Sequence, residues 1–370
     1  MRPGAAQSAD VPATSPKKLL FATAWLLVGT VIIPGCKKTT ESESRQPPIG
    51  QERYERMCSV CHGMEGEGYA ADKAPALGHP EFQASVSDEL LRHAISEGRT
   101  DTTMSAWSIK RGGPLPPAEV DAIIAYLRKW KPSEARRLNN NKSTGSIDRG
   151  QALYTNNCVD CHGKRGVGGA NVGIGNPELL KRVDNGFLRH AIAQGRSGAG
   201  MPGFWNTLGP AGIEDLVALL RDWENPRPKE KKHKHAKVPP LPLGEVPMNP
   251  DGPDPKGFLV HPGRTSIDVI KPEIERGAKM VLLDARAPSA FTREHIPGAV
   301  SVPFYDPEPY FDELPRDAWL IAYCSCPTAE STKLAAALKK NGFEKVTILK
   351  EGLKEWRKRK YPTEGGKAEK

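Results

Sequence analysis

The stretch Cys58-Ser-Val-Cys61-His62 recurs as Cys158-Val-Asp-Cys161-His162. In each copy two thiols lie three residues apart, and a histidine follows at once. Two such thiols can form thioethers with the two vinyl groups of a haem, which places the histidine under the ring, where its imidazole can bind iron. A redox-active cysteine pair or half of a zinc site can share the cysteines, but neither needs the histidine. We therefore predict two covalent haems, attached through Cys58, Cys61, Cys158 and Cys161, with His62 and His162 as iron ligands.

Both motifs belong to a longer internal repeat. Leu91-Arg-His-Ala-Ile95 recurs as Leu188-Arg-His-Ala-Ile192, and a Gly-Arg pair follows each copy closely. Further on, Glu119–Trp130 and Ile213–Trp223 both space their apolar residues with a helical period, which indicates one buried face. Each unit is therefore expected to be a small all-α domain, with a helix before the motif, one after it and a terminal helix packed across.

Each predicted haem needs a second axial ligand or an open site. Met104 lies in Thr103-Met-Ser-Ala-Trp107 and Met201 in Gly200-Met-Pro-Gly-Phe204, both on loops about forty residues after the histidine. A methionine that fills the core is the alternative, but glycine and polar neighbours favour ligation. We predict Met104 and Met201 as the sixth ligands. His/Met ligation closes both irons to substrates and favours electron transfer.

The repeat contains a second pair of histidines, His93 and His190, which are the rival ligands. Both lie within a predicted helix beside an arginine, Arg92 or Arg189, and about ten residues before the methionines. A repeated helix surface or a contact with a haem propionate is the favoured interpretation of this pair.

Residues 49–225 resemble two tandem class I cytochrome c domains, of the kind found in diheme carriers and diheme oxidase subunits. The resemblance rests on the CxxCH motif, the loop methionine and the terminal helix with its aromatic residue. It implies two haem c groups and, in many members, a proline carbonyl that orients the ligating histidine. Pro75 is placed for this in the first unit, whereas Val172 stands near that place in the second. The surroundings of the two histidines, and the two potentials, are therefore expected to differ.

The N-terminus has the features of a targeting signal. Two lysines at 17 and 18 precede an apolar run at 19–33, which is followed by Pro34-Gly35-Cys36, the order typical of a secretory signal. It resembles a bacterial lipoprotein signal, in which Cys36 becomes the lipidated first residue. An uncleaved membrane anchor is the alternative, although the run is short for a span. Both interpretations place the rest of the chain on the periplasmic side of a bacterial membrane, with the inner or outer membrane left open.

The C-terminal part alternates strands and helices. Short apolar strands are predicted at Met280–Leu283, Trp319–Tyr323 and Val346–Leu349, and helices at Thr328–Lys340 and Glu351–Arg359. This alternation predicts an open parallel sheet covered on both faces.

Residues 258–363 resemble a rhodanese-like domain. Four motifs carry this resemblance: Leu283-Asp-Ala-Arg286, His295-Ile-Pro-Gly-Ala-Val300, Ala322-Tyr-Cys-Ser-Cys-Pro327 and Lys350-Glu-Gly-Leu-Lys-Glu-Trp356. The resemblance implies that Cys324 opens a loop whose N–H groups, with the following helix N-terminus, stabilise a thiolate and then a persulfide. Cys324 would then transfer sulfane sulfur.

The loop departs from the family pattern. Pro327-Thr-Ala-Glu330 stands where many active members carry glycine and arginine. A loop with Glu330 and without arginine is a weak anion cradle, so thiosulfate is not the expected substrate, and a related phosphatase activity is excluded. Cys326 is a second thiol that can resolve a persulfide or pair with Cys324. A degenerate rhodanese fold used for docking or regulation is the alternative.

The 370 residues carry a formal net charge of +9, and their length suits two or three domains. We see no basic stretch interleaved with aromatics, so anionic lipid or an acidic redox partner is favoured over nucleic acid. The expected segments are a signal at 1–36, a polar tether at 37–48, cytochrome c domains at 49–131 and 147–225, linkers at 132–146 and 226–257, a rhodanese-like domain at 258–363 and a tail at 364–370.

The sequence therefore predicts two all-α cytochrome c domains followed by an α/β rhodanese-like domain with a parallel central sheet. The expected function is that of a membrane-tethered periplasmic carrier of single electrons, with redox proteins of a respiratory chain as partners and a rhodanese-like domain that binds or transfers sulfane sulfur. Two alternatives stay open. One is a sulfurtransferase or sulfur-compound dehydrogenase whose Cys324 persulfide feeds electrons to the haems, and the other is a redox sensor or docking protein.

Overall fold

The computed structural model describes residues 47–68, 71, 73–99, 102–130, 138–196, 200–225, 249–325 and 328–365. These residues belong to one compact unit, Pro47–Lys370. The predicted signal with Cys36, almost all of the tether, most of the linker at 226–257 and the second thiol, Cys326, lie outside the described residues. Within the described part of the chain, no helix is both long and apolar enough to cross a membrane.

The first domain is helical, as predicted. Its α-helices are α1 (Ile49–Arg53), α2 (Ser59–His62), α3 (Pro80–Ser85), α4 (Asp88–Glu97) and α5 (Pro117–Trp130), with a π-helical turn at Tyr54–Cys58 between α1 and α2. Local sequence fixes the ends of α4. The Ser87 hydroxyl accepts from the Leu90 N–H at the N-terminus, and Gly98 with φ 69° ends the helix, as capping requires.

The second domain repeats this arrangement. Its α-helices are α6 (Ile147–Asn157), α7 (Val159–His162), α8 (Pro177–Leu180), α9 (Asn185–Gln194) and α10 (Trp205–Asp222), the last with a kink at Gly209. The described residues before α6 pack along this domain, since the Ser143 hydroxyl donates to the Glu214 carbonyl at 2.9 Å.

In each cytochrome-like unit the first helix crosses the last helix at a glycine. A Cβ on Gly50 would lie 2.1 Å from the Ala122 carbonyl oxygen, and a Cβ on Gly150 would lie 2.2 Å from that of Asp215. Only glycine therefore allows the two backbones to approach so closely. The crossing also stacks a tyrosine on the terminal tryptophan edge to face, with ring centroids 4.7 Å apart in the first domain and 4.8 Å in the second.

Replacing either crossing glycine with alanine is expected to destabilise only the domain that carries it. The added methyl meets backbone rather than a movable side chain, and such overpacking typically costs about 1–3 kcal/mol. Thermal unfolding of the holoprotein, with hydrogen exchange to locate the change, measures the effect of Gly50→Ala and Gly150→Ala. Gln151→Ala, on an exposed position of α6, is the control. Glycine variants as stable as this control would contradict the close crossing.

The C-terminal domain contains a five-stranded parallel sheet in the order β1-β5-β4-β2-β3, which confirms the predicted class. Its strands are β1 (Arg264–Thr265), β2 (Met280–Asp284), β3 (Val300–Ser301), β4 (Trp319–Tyr323) and β5 (Val346–Leu349). Its helices are α11 (Ile267–Glu275), α12 (Pro288–Arg293), α13 (Ala329–Lys340) and α14 (Gly352–Lys358).

The centre of this sheet is buried on both faces. Leu283 and Leu320 face one apolar cluster, whereas Leu282 and Ile321 face the other, and all four are buried. Alternate side chains of a strand point to opposite faces, so continuous apolar strands such as β2 and β4 fit this central position. Both strands end at the same edge of the sheet, where Asp284 is paired with Tyr323.

Candidate functional site

His62 is positioned by a backbone carbonyl. It ends α2 and is 7% exposed, and its Nδ1 lies 2.9 Å from the Pro75 carbonyl oxygen. Because a carbonyl can only accept, Nδ1 carries the proton and Nε2 is left with its lone pair. This is the arrangement that a metal-binding histidine needs. The contact with Pro75 is the one that the family resemblance implies.

His162 has the same arrangement. It is also 7% exposed, and its Nδ1 lies 2.8 Å from the Val172 carbonyl oxygen. The expectation that this contact would differ between the units is therefore wrong. The acceptor is a main-chain atom, so valine supplies it as well as proline does.

A tyrosine fixes the chain just after each histidine. The Tyr54 hydroxyl donates to the Gly63 carbonyl at 2.7 Å, and the Tyr154 hydroxyl donates to the Gly163 carbonyl at 2.8 Å. Burial raises the pKa of both hydroxyls above the ordinary value, so they remain donors. Sequence reasoning missed these tyrosines. Their signal was available, since each stands four residues before the first cysteine of its motif.

The two predicted methionine ligands lie on hairpin-like loops. The Arg99 N–H donates to the Met104 carbonyl at 3.0 Å, and Arg196 and Met201 exchange two backbone hydrogen bonds of 2.8 and 3.1 Å. Both methionine side chains are partly buried, and Met104 packs against the core. Each loop is therefore held to the residue that follows the glycine at the end of α4 or α9.

The rival histidines do not share one environment. His190 is buried, and its Nε2 lies 2.6 Å from the Glu81 carboxylate of the first domain. A surface position for His190 is therefore wrong, because this side chain lies in the contact between the two domains. His93 is partly buried, and burial lowers its pKa.

Arg99 and Arg196, from the repeated Gly-Arg pairs, are half-buried cations. Burial lowers the pKa of both guanidinium groups, and the pKa of Arg196 falls to about 10. Arg99 Nη2 donates to the Gly173 carbonyl of the second domain at 3.1 Å, while its buried Nε has no hydrogen-bond partner in the part of the chain that the structure describes. A buried N–H group of a cation that lacks a partner is costly unless an anionic group compensates it.

Cys324 follows β4 directly. Its side chain is fully buried, and its Sγ lies 3.6 Å from the Ser331 hydroxyl in the first turn of α13. Its carbonyl accepts from the Leu353 N–H at 2.9 Å, which ties the loop to α14. Sequence reasoning identified Cys324 but missed Ser331, which becomes adjacent only when α13 folds back over the loop.

A buried ion pair between Asp284 and Arg286 holds the loop that begins at Cys324. Arg286 donates from Nε and Nη2 to Asp284, and from Nη1 to the Ser325 hydroxyl at 3.0 Å. Burial alone would lower the pKa of Arg286, but the charge and hydrogen bonds of Asp284 outweigh it and raise the pKa. The residue after Cys324 is therefore held by a buried, charge-assisted contact. The Asp-Ala-Arg motif is visible in the sequence, but its contact with Ser325 depends on the fold.

Two family models match the chain. The model described as cytochrome c oxidase, cbb3-type, subunit III matches residues 45–127 and again 145–220, and the model of the rhodanese-like domain matches residues 267–359.

Similar proteins were found for both parts. A cbb3-type cytochrome c oxidase subunit of Azospirillum sp. (strain B510) is 25% identical over 191 residues, which are 47% of this chain and 60% of the relative. The cytochrome bc1 complex cytochrome c subunit of Mycobacterium bovis is 28% identical over 191 residues, 49% of this chain and 65% of the relative. The chain thus spans less than two thirds of these relatives. The rhodanese-like domain of an Anabaena sp. protein is 31% identical, covering 28% of this chain and 79% of its own, with a TM-score of 0.26.

Proposed function

Because the chain consists of two cytochrome c domains followed by a rhodanese-like domain, we propose that it carries single electrons in a respiratory chain. The observation that carries this proposal is the repeated geometry at His62 and His162, in which a carbonyl fixes Nδ1 and leaves Nε2 to bind iron. The lipoprotein-like signal at Cys36 supports a lipid-anchored position on the periplasmic side of a bacterial membrane. The relatives named as oxidase and bc1 subunits support redox proteins of a respiratory chain as partners.

Cytochrome c domains imply covalently bound haem c, and the residues present fit this group. In our proposal Cys58 and Cys61 attach one haem and Cys158 and Cys161 a second. His62 with Met104, and His162 with Met201, are the axial ligands. The half-buried Arg99, whose buried Nε has no partner among the described residues, fits a neighbouring haem propionate. When bound, the haems supply reversible one-electron chemistry, and the protein tunes it through the ligands and their surroundings.

For the rhodanese-like domain we propose that Cys324 carries sulfane sulfur as a persulfide. The Ser331 hydroxyl, 3.6 Å from Sγ, can donate to a thiolate, and the N-terminus of the twelve-residue helix α13 favours negative charge there. The Asp284–Arg286 pair supports this role because it holds Ser325 in the loop. Cys326 is proposed as the second thiol that can accept the sulfur.

A redox titration of the purified holoprotein tests the carrier proposal. Two one-electron transitions are expected, and the paired variants Cys58→Ala/Cys61→Ala and Cys158→Ala/Cys161→Ala should each lose one of them. Each paired variant is the control for the other. A wild-type chain with a single haem, or with haem bound at only one motif, would overturn the proposal.

A further inference from the structure

The rhodanese-like domain lies against the haem-attachment segment of the first cytochrome c domain. Helix α13, which follows the Cys324 loop, contacts α2, which carries Cys61 and His62. Ser331, in the first turn of the same helix, lies 3.6 Å from Cys324 Sγ. Helix α13 therefore contacts both the Cys324 site and the first haem-attachment segment.

A second set of contacts lies next to the Met104 loop. The Ser289 hydroxyl donates to the Ala106 carbonyl at 2.5 Å, and the Trp107 and Tyr305 rings pack with centroids 5.5 Å apart. All four residues are buried. The rhodanese-like domain thus contacts the segment just after Met104 as well as the segment with Cys61.

An ion pair completes the interface. Arg56, two residues before Cys58, donates to the Asp306 carboxylate at 2.8 Å and to the Tyr305 carbonyl. The rhodanese-like domain therefore covers both chain segments that would enclose the first haem. A domain attached only through a flexible linker would not be expected to bury a ring pair such as Trp107 and Tyr305 against its neighbour.

We propose that the first cytochrome c domain is the internal electron acceptor for the oxidation of hydrosulfide at Cys324. This inference rests on the proposed function, because it needs both the haems and a reactive Cys324. It makes the chain a sulfur-compound dehydrogenase as well as a carrier. The contacts of Ser289, Tyr305 and Asp306 with the first cytochrome c domain carry it, since they hold the rhodanese-like domain beside that domain.

The proposed oxidation joins the sulfur of Cys324 to the sulfur of hydrosulfide. The Cys324 thiolate and hydrosulfide form an S–S bond while the S–H bond of hydrosulfide breaks: Cys–S⁻ + HS⁻ gives Cys–S–S⁻, one proton and two electrons. The two haems, when bound and ferric, would each take one of these electrons. The proton goes to solvent. Transfer of the outer sulfur to an acceptor thiolate then restores the Cys324 thiolate.

The two cytochrome c domains contact each other close to the second haem-attachment site. Arg99 donates to the Gly173 carbonyl, and Gly173 follows Val172, whose carbonyl holds His162. His190 and Glu81 bridge the same two domains. These contacts hold the second domain beside the first, where a second haem would take the second electron.

The burial of Cys324 favours a small substrate. Its side chain is fully buried, and Glu330, also buried, lies in the first turn of α13. A fully buried thiol leaves little room for a bulky dianion such as thiosulfate, whereas hydrosulfide has a single heavy atom. The site is therefore suited to the simplest sulfur nucleophile.

The oxidised, full-length holoprotein should be mixed anaerobically with limiting sulfide while the visible spectrum is recorded. We expect two reduced haems for each Cys324 that gains one sulfur atom by mass spectrometry. Cys324→Ser should slow haem reduction by about tenfold or more. Equal rates in this variant and the wild type would mean that sulfide reduces the haems directly, and would overturn the inference.

A charge reversal at the interface tests the internal route. Arg56→Glu opposes Asp306 and should slow the Cys324-dependent reduction, while persulfide formation on Cys324 from added polysulfide stays unchanged. Arg56→Glu/Asp306→Arg should restore much of the rate. The control is Asn156→Glu, at the equivalent and exposed position of the second domain. Equal rates for Arg56→Glu and Asn156→Glu would overturn the route. If both haems titrate normally and Cys324 still accepts sulfur from polysulfide, that failure leaves the proposed function intact.

Discussion

Replacing Arg286 with methionine is expected to destabilise the rhodanese-like domain by about 3–5 kcal/mol, which is the usual cost of breaking one side of a buried ion pair. Asp284 is fully buried and Arg286 is 4% exposed. Without the guanidinium, the carboxylate keeps its desolvation penalty and loses both charge-assisted hydrogen bonds. The Ser325 and Glu294 contacts of the same side chain are lost with them.

Hydrogen exchange, resolved by peptide, is the measurement for this variant because the haems complicate optical probes. Protection should fall in β2 and β4 and stay unchanged in α5 and α10. Arg286→Lys keeps the charge but not the planar fork, so an intermediate loss is expected. Asp284→Leu/Arg286→Met removes both charges and should recover part of the stability. Unchanged protection of β2 in Arg286→Met would show that the pair contributes little.

The two cytochrome c domains could be predicted from the sequence because covalent haem attachment restricts residue type and spacing together. A CxxCH pentapeptide needs no tertiary contact to be recognised, and its repetition located two domains. The terminal helices followed from a period that buries Val120, Ile123 and Leu127 in the first domain. Val172 shows the limit of this approach, since the type of a side chain does not reveal which donor the backbone carbonyl of that residue accepts from.

The length of each strand determined whether it could be predicted from the sequence. Strands β2, β4 and β5 are buried along their whole length or nearly so, and their continuous apolar runs are visible in the sequence. Strands β1 and β3 have two residues each. Two residues cannot establish any period, so the sheet edges were missed.

Contacts between domains were beyond sequence reasoning. His190 meets Glu81, Arg99 meets Gly173 and Arg56 meets Asp306 across separations of 109, 74 and 250 residues. A helical period shows that a face is buried, but not against which partner. His93 and His190 illustrate the consequence. They occupy the same place in the five-residue repeat, but it is His190 that is paired with the Glu81 carboxylate of the other domain.

The loop methionines should have the largest effect on the redox properties. Met104→Ala and Met201→Ala are each expected to remove the spectral signature of His/Met ligation from one haem. The potential of that haem should fall by a sizeable part of the roughly 0.8 V over which axial ligands set haem potentials. The physical reason is that a thioether favours ferrous over ferric iron, whereas water or histidine in its place does not.

Met64→Ala is the matched control for both substitutions. Met64 lies two residues after His62 and its side chain is 55% exposed, so its loss should leave both potentials where they are. Redox titration and near-infrared absorption of the ferric holoprotein measure the three variants together. If Met104→Ala keeps the wild-type potential, Met104 only fills the core against which it packs, and His93 becomes the ligand to test by the same titration. If each loop variant instead changes one of the two redox transitions, that transition belongs to the domain that carries the substitution.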